Sequence, residues 1–148
     1  MAEWSFSQIQ TVNPGESVIF TENPVPCTRE LVQHRDDTGA FLLKGIVPRQ
    51  YGCPCCRQRF ANYLVDFGAN IAIPTGGTVD AISLAITIAG NTIPASTMTV
   101  TPAAVEQFFN VSRAIHANIF AGCCESVAVR NTSTQPILVQ NANIIFSR

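Results

Sequence analysis

The chain has 148 residues, enough for one domain with a substantial core, and is 47% hydrophobic but only 13% charged. Its net charge of −1 supplies no field for nucleic acid or an anionic membrane surface. No apolar run reaches the roughly 18–20 residues of a membrane helix, and no basic-then-apolar leader opens the chain, so a soluble protein is expected. Charge is also unevenly placed. Between Phe67 and Val105 the sole charged side chain is Asp80. A monomer with so neutral a surface would be poorly soluble, so part of it is expected to be buried between copies.

In chain order, Phe6 to Val12 reads as an edge strand, Asn13-Pro14-Gly15-Glu16 as a tight turn, and Ser17 to Thr21 as a second strand. The Pro-rich piece Asn23 to Cys27 cannot enter a sheet interior. Leu31 to His34 and Ala40 to Lys44 flank Arg35-Asp36-Asp37-Thr38-Gly39 and predict a hairpin. Asp36 and Asp37 lack the further oxygen ligands of a calcium loop. Phe60 to Gly90 predicts two strands joined by Pro74-Thr75-Gly76-Gly77. In the first, Tyr63, Val65 and Phe67 share a face. In the second, Ile82, Leu84, Ile86 and Ile88 form a large face, and Ala81, Ser83, Ala85, Thr87 and Ala89 a small one that lets a sheet or subunit come close. Pro94 interrupts any ladder after residue 91. Thr101 to Gln107 is the best helical candidate, with Thr at the cap and Pro at the first position. Val111 to Phe120, Ser126 to Asn131 and Ile137 to Ser147 complete an all-β pattern. Short strands at regular spacing indicate an antiparallel sandwich or barrel.

Six cysteines are the main chemical feature: Cys27, Cys53, Cys55, Cys56, Cys123 and Cys124. An even number at turns fits three disulfides, with fifteen possible connectivities. The Cys53/Cys56 spacing also fits half a zinc knuckle, which Cys27, His34 or the 123–124 pair would have to complete. Catalysis is not expected. His34 and His116 stand apart from any orienting carboxylate, and no paired-carboxylate signature, glycine-rich phosphate loop or HExxH sequence is present. No cofactor is implied. Tyr63, Phe67, Phe108, Phe109, Phe120 and Phe146 are expected in the core and at a subunit interface rather than in a ligand groove. Arg57 and Arg59 beside Tyr51 read as an exposed loop. The sequons at Asn110 and Asn131 read as chance.

The hairpin Val32 to Gly45, the strand Tyr63 to Phe67, the run Ile82 to Gly90 and the ending Ser126 to Arg148 together resemble the bacterial and phage versions of the C1q/TNF-like jelly roll. The resemblance covers residues 30–148, which leaves 1–29 as an N-terminal arm with edge strands, a candidate attachment segment. Asn70 to Pro74, Thr101 to Val105 and Arg130 to Thr134 resemble small proteins of phages and prophages of gut Firmicutes. The resemblance implies a non-enzymatic homotrimer that decorates a virion surface and touches the major capsid protein or other virion proteins. Its alternative is a receptor- or glycan-binding head on a phage fibre or on a bacterial cell or spore surface. The family's usual stalk repeat, Gly-X-Y, does not occur here.

Overall fold

The computed structural model describes residues 1–27, 30–35, 38–48 and 58–148, and in these the chain forms eleven β-strands. Sheet A has the order β2 (Glu22–Val25), β1 (Ala2–Val12), β11 (Ile137–Ser147), β5 (Phe60–Ala72), β9 (Phe109–Phe120). Sheet B has the order β3 (Val32–His34), β4 (Phe41–Lys44), β10 (Cys124–Asn131), β6 (Ile82–Ile88), β7 (Asn91–Thr92), with β8 (Met98–Val100) also on β6. Each pairing is antiparallel. The two sheets form a jelly-roll sandwich, the all-β architecture expected from the strand pattern.

Alternation decides which residues fill it. Trp4, Tyr63, Val65, Phe67, Ile144 and Phe146 point inward from sheet A, and Phe41, Leu43, Ile82, Leu84, Ile86 and Val129 from sheet B, all buried. Burying each such side chain is worth about 1.5–3 kcal/mol. Phe41 is the hub, with Trp4 at 5.1 Å, Phe146 at 5.0 Å and Phe20 at 5.4 Å between ring centroids.

Several expectations are corrected. β5 and β6 are not a hairpin: they lie in opposite sheets, and the Pro74–Gly77 turn carries the chain between them. Both sides of β5 are already taken, by β11 and β9. Alternation reveals the buried face of a strand but not its neighbour. Residues 17–21 also form no strand. Val18 donates to the Val129 carbonyl in sheet B at 2.8 Å, and Thr21 donates to the Ser5 carbonyl in sheet A at 3.2 Å, so the segment bridges the sheets and buries Val18 and Phe20 between them. The expected helix at 101–107 is a pair of turns. The Glu106 amide donates to the Ile73 carbonyl at 2.7 Å with a φ of 58°, which an α-helix cannot accommodate. The short helix is instead a 3-10 turn at Pro94–Ser96.

The segment expected to be an arm, residues 1–29, supplies β1 and β2. β1 pairs with β11 from Ala2↔Phe146 to Val12↔Ile137, and β2 crosses it only at Glu3 and Ser5. The sheet edge is therefore β2, the Pro-containing strand. The Leu31–Lys44 hairpin forms as expected, as β3 and β4.

Candidate functional site

Three surfaces hold what the sequence singled out: the outer faces of the two sheets and one end of the sandwich. The outer face of sheet A is built by the alternate positions of its long strands. Asn62, Leu64, Asp66, Gly68 and Asn70 on β5 stand opposite Asn118, His116, Ala114, Ser112 and Asn110 on β9. On β11 the matching positions are Ser147, Ile145, Asn143 and Gln140. Amides and hydroxyls dominate, and Asn110 donates to the Asn70 side chain at 3.1 Å. The ionisable side chains at these positions of β1, β5, β9 and β11 are Glu3, Asp66 and His116. At one end the face turns apolar. Phe60 and Phe120 pair across β5 and β9 with centroids 4.5 Å apart, Phe120 is 59% exposed, and Leu64 is 37% exposed.

The outer face of sheet B receives Ala85. Its cross-strand partner is Arg130, and Ala85 and Thr87 are buried within the protomer. The small face of β6 is thus covered by this chain's own side chains. Tyr63, Phe67, Ile82, Leu84 and Ile86 are core residues. Of the expected aromatic set Phe146 is also core, Phe108 and Phe109 are half-buried, and Phe120 is exposed.

The third surface is the end where β3–β4 meets the β9–β10 turn. The Gly45 amide donates to the Cys123 carbonyl at 2.7 Å, and the Gly122 amide to the Gly45 carbonyl at 2.8 Å. The Tyr63 hydroxyl reaches this end and donates to the Lys44 carbonyl at 2.5 Å. Burial raises the phenol above its ordinary value. Arg148 opposes this, and Cys27 and Cys124 add to it. Arg148 lies over the Tyr63 ring, 5.6 Å from its centroid, and donates to the Ile46 carbonyl. Cys123 and Cys124 carry exposed thiols, and Cys124 stands opposite Lys44. Cys27 lines a cavity of about 760 Å³ together with Ile46, Pro48, Gln58 and Arg148. The disulfide and knuckle candidates Cys53, Cys55 and Cys56 lie outside the described residues, as do Tyr51, Arg57, Asp36 and Asp37.

The two histidines stand apart from this end. His34 stacks on Phe41 at 4.6 Å, and its Nε2 donates to the Thr38 carbonyl at 2.9 Å. Among the described residues no group of three His, Cys, Asp or Glu is placed to hold a metal ion. His116 is exposed on sheet A.

Asn131 is a residue the sequence did not flag as structural. It is buried, donates to the Val12 carbonyl at 2.9 Å and the Gln135 carbonyl at 3.0 Å, and accepts from the Ser133 amide at 2.8 Å. Both amide hydrogens are engaged, so the sequon there is unavailable to a glycan. Its place between a strand and a Ser/Thr/Pro turn was the readable signal.

No family model and no curated protein matches the chain. Among solved structures it is similar to the globular domain of zebrafish complement 1qA protein: TM-score 0.56, 11% identity, over 97% of this chain and 94% of that one. It also aligns with a family 35 carbohydrate binding module from an environmental isolate, with a TM-score of 0.39, 14% identity, and coverage of 100% and 93%. The first similarity shows the fold, a C1q-like jelly roll. The second is too distant to carry an argument.

Proposed function

We propose that the protein is a non-catalytic binding head that works as a homotrimer, assembled through the outer face of sheet A. The observation that carries this reading is the face itself. It is broad, built on five strands, carries Glu3, Glu22, Asp66 and His116 as its ionisable side chains, and is apolar at the Phe60–Leu64–Phe120 end. An exposed apolar patch on a sheet face marks a contact surface, and an aromatic pair is what the centre of an interface favours. The C1q-like fold agrees with a binding role.

A decoration protein that grips a virion by its N-terminal segment is the less favoured reading. Ala2 and Trp4 are spent in the core, and β1 is held between β2 and β11. On the favoured reading the ligand is a receptor or a cell-surface glycan, and the head is displayed on a phage fibre or on a bacterial cell or spore surface.

Light scattering tests the assembly. The wild type is expected near three times 16.0 kDa. Leu64→Glu, at an exposed position, is expected to be folded by circular dichroism yet to have the mass of one chain. A wild type that is monomeric at micromolar concentration, or a Leu64→Glu variant that assembles normally, would remove sheet A as the interface.

A further inference from the structure

One cation has more donors than partners. Arg130 lies near the end of β10 on the outer face of sheet B, paired with Ala85 on one side and bridged to Ser17 on the other. Its Nε is buried and has no hydrogen-bond partner. The contact its guanidinium does make is with the Gly90 carbonyl at 3.5 Å, the long limit for such a bond. The one ion pair among the described residues, Lys44–Glu30, lies elsewhere. Of the guanidinium's five N–H donors, the Nε–H is thus the one both buried and unmet. A buried donor left in this state calls for a partner.

The surroundings suit one. Ala85, Thr87 and Ala128 beside Arg130 are small, and the Thr87 hydroxyl is already committed to the Ala128 carbonyl at 3.2 Å. The side chain itself is only partly covered, so its fork remains reachable. At the Gly90 end the β6–β7 turn leads into Thr92, exposed and paired with Thr87 on the same face as Arg130, whereas Asn91 pairs with Ile88 and belongs to the other face. Ser126, also exposed, is fixed beside that turn because its carbonyl accepts from the Ala89 amide at 2.8 Å.

We propose that Arg130 and the β6–β7 turn form a recognition site for a carboxylate-bearing saccharide. The guanidinium takes the carboxylate, the pairing its planar fork favours. Ser126 and Thr92 take ring hydroxyls. A single cation flanked by hydroxyls matches one carboxylate on a hydroxyl-rich ring better than the several charges of an acidic peptide. The site gives a ligand class to the binding reading above and rests on it. It lies on the far side of the sandwich from the assembly face and does not depend on the trimer.

The test is a titration of the 15N-labelled full chain with sodium glucuronate, followed at the Arg130 Nε–H and the Ser126 and Thr92 amides. Saturable shifts at all three are expected, with none from glucose at the same concentration. Arg130→Met keeps an apolar stem over Ala85 and Thr87 and is expected to abolish saturation. Thr92→Val, at an exposed position, is expected to weaken binding at least threefold. Glucuronate shifts that miss Arg130 would overturn the site. So would the same full pattern from sodium sulfate, which would indicate an adventitious ion only. A tetraglutamate peptide that saturates at lower concentration would overturn the ligand class. Light scattering on the same samples separates the two claims: a monomer that saturates refutes the trimer alone, and a trimer that never saturates refutes the site alone.

Discussion

At Gly45 a single hydrogen is all the fold allows. A Cβ there would lie 1.8 Å from the Phe120 carbonyl oxygen, which is backbone and cannot swing away. Gly45→Ala is therefore expected to cost about 1–3 kcal/mol, or more if the β9–β10 turn separates, read as a fall in the denaturant midpoint. Asn131→Ala strands the Val12 and Gln135 carbonyls and the Ser133 amide, so a loss of about 1–3 kcal/mol is expected in the same measurement. Tyr63 makes a pH prediction. Its folded phenol is raised chiefly by burial, so its contribution is whole below the ordinary value of about 10 and is lost as pH rises through that value towards the folded one. Stability should fall between about pH 9 and pH 11, and Tyr63→Phe should flatten that fall at the cost of the bond to Lys44.

At the scale of elements, the sandwich is closed at its sides by single side chains. Arg113, on the edge strand β9, donates from Nε and Nη2 to the Ala95 carbonyl at 2.9 and 2.7 Å and so ties sheet A to the 3-10 turn of sheet B. Arg113→Ala is expected to raise amide exchange at 94–100 and 109–114 while leaving the β1–β11 ladder protected. On the opposite edge, β2 is held by Glu22, which accepts from Ser7 at 2.7 Å and Ser5 at 3.0 Å. These bonds, Ser7 foremost, lower its pKa. Their contribution is present above the ordinary carboxylate value and is lost as pH falls through the folded one. Exchange at β2 should therefore quicken on acidification, and Ser7→Ala should weaken that dependence.

At the scale of the whole molecule, the two outer faces divide the labour. Sheet A is broad with an apolar end, whereas sheet B has its small central positions, Ala85 and Thr87, buried within the protomer. A charge introduced at Ala85 therefore tests the protomer's folding rather than its assembly, while one at Leu64 tests assembly. The gathering of Tyr63, Cys27, Cys124 and Arg148 at one end makes reduction a third handle. A thermal midpoint that drops on reduction would assign disulfides there, and an unchanged midpoint would leave Cys123 and Cys124 as thiols.

The sequence by itself determined the fold class, the bounds of most strands and the core faces. Period-two alternation in Tyr63-Val65-Phe67 and Ile82-Leu84-Ile86 is a local record of burial on one side. It determined the Leu31–Lys44 hairpin too, because a short turn fixes antiparallel neighbours. Only the tertiary structure decided that β5 and β6 part into opposite sheets, that residues 17–21 cross between them, and that β1 lies between β2 and β11 rather than at the edge. Which strand lies beside which is a long-range choice, made by the two faces closing around Phe41, and no local pattern encodes it. The same closure buried Ala85 and the unpartnered Arg130 Nε, which neither residue's neighbours in sequence could reveal.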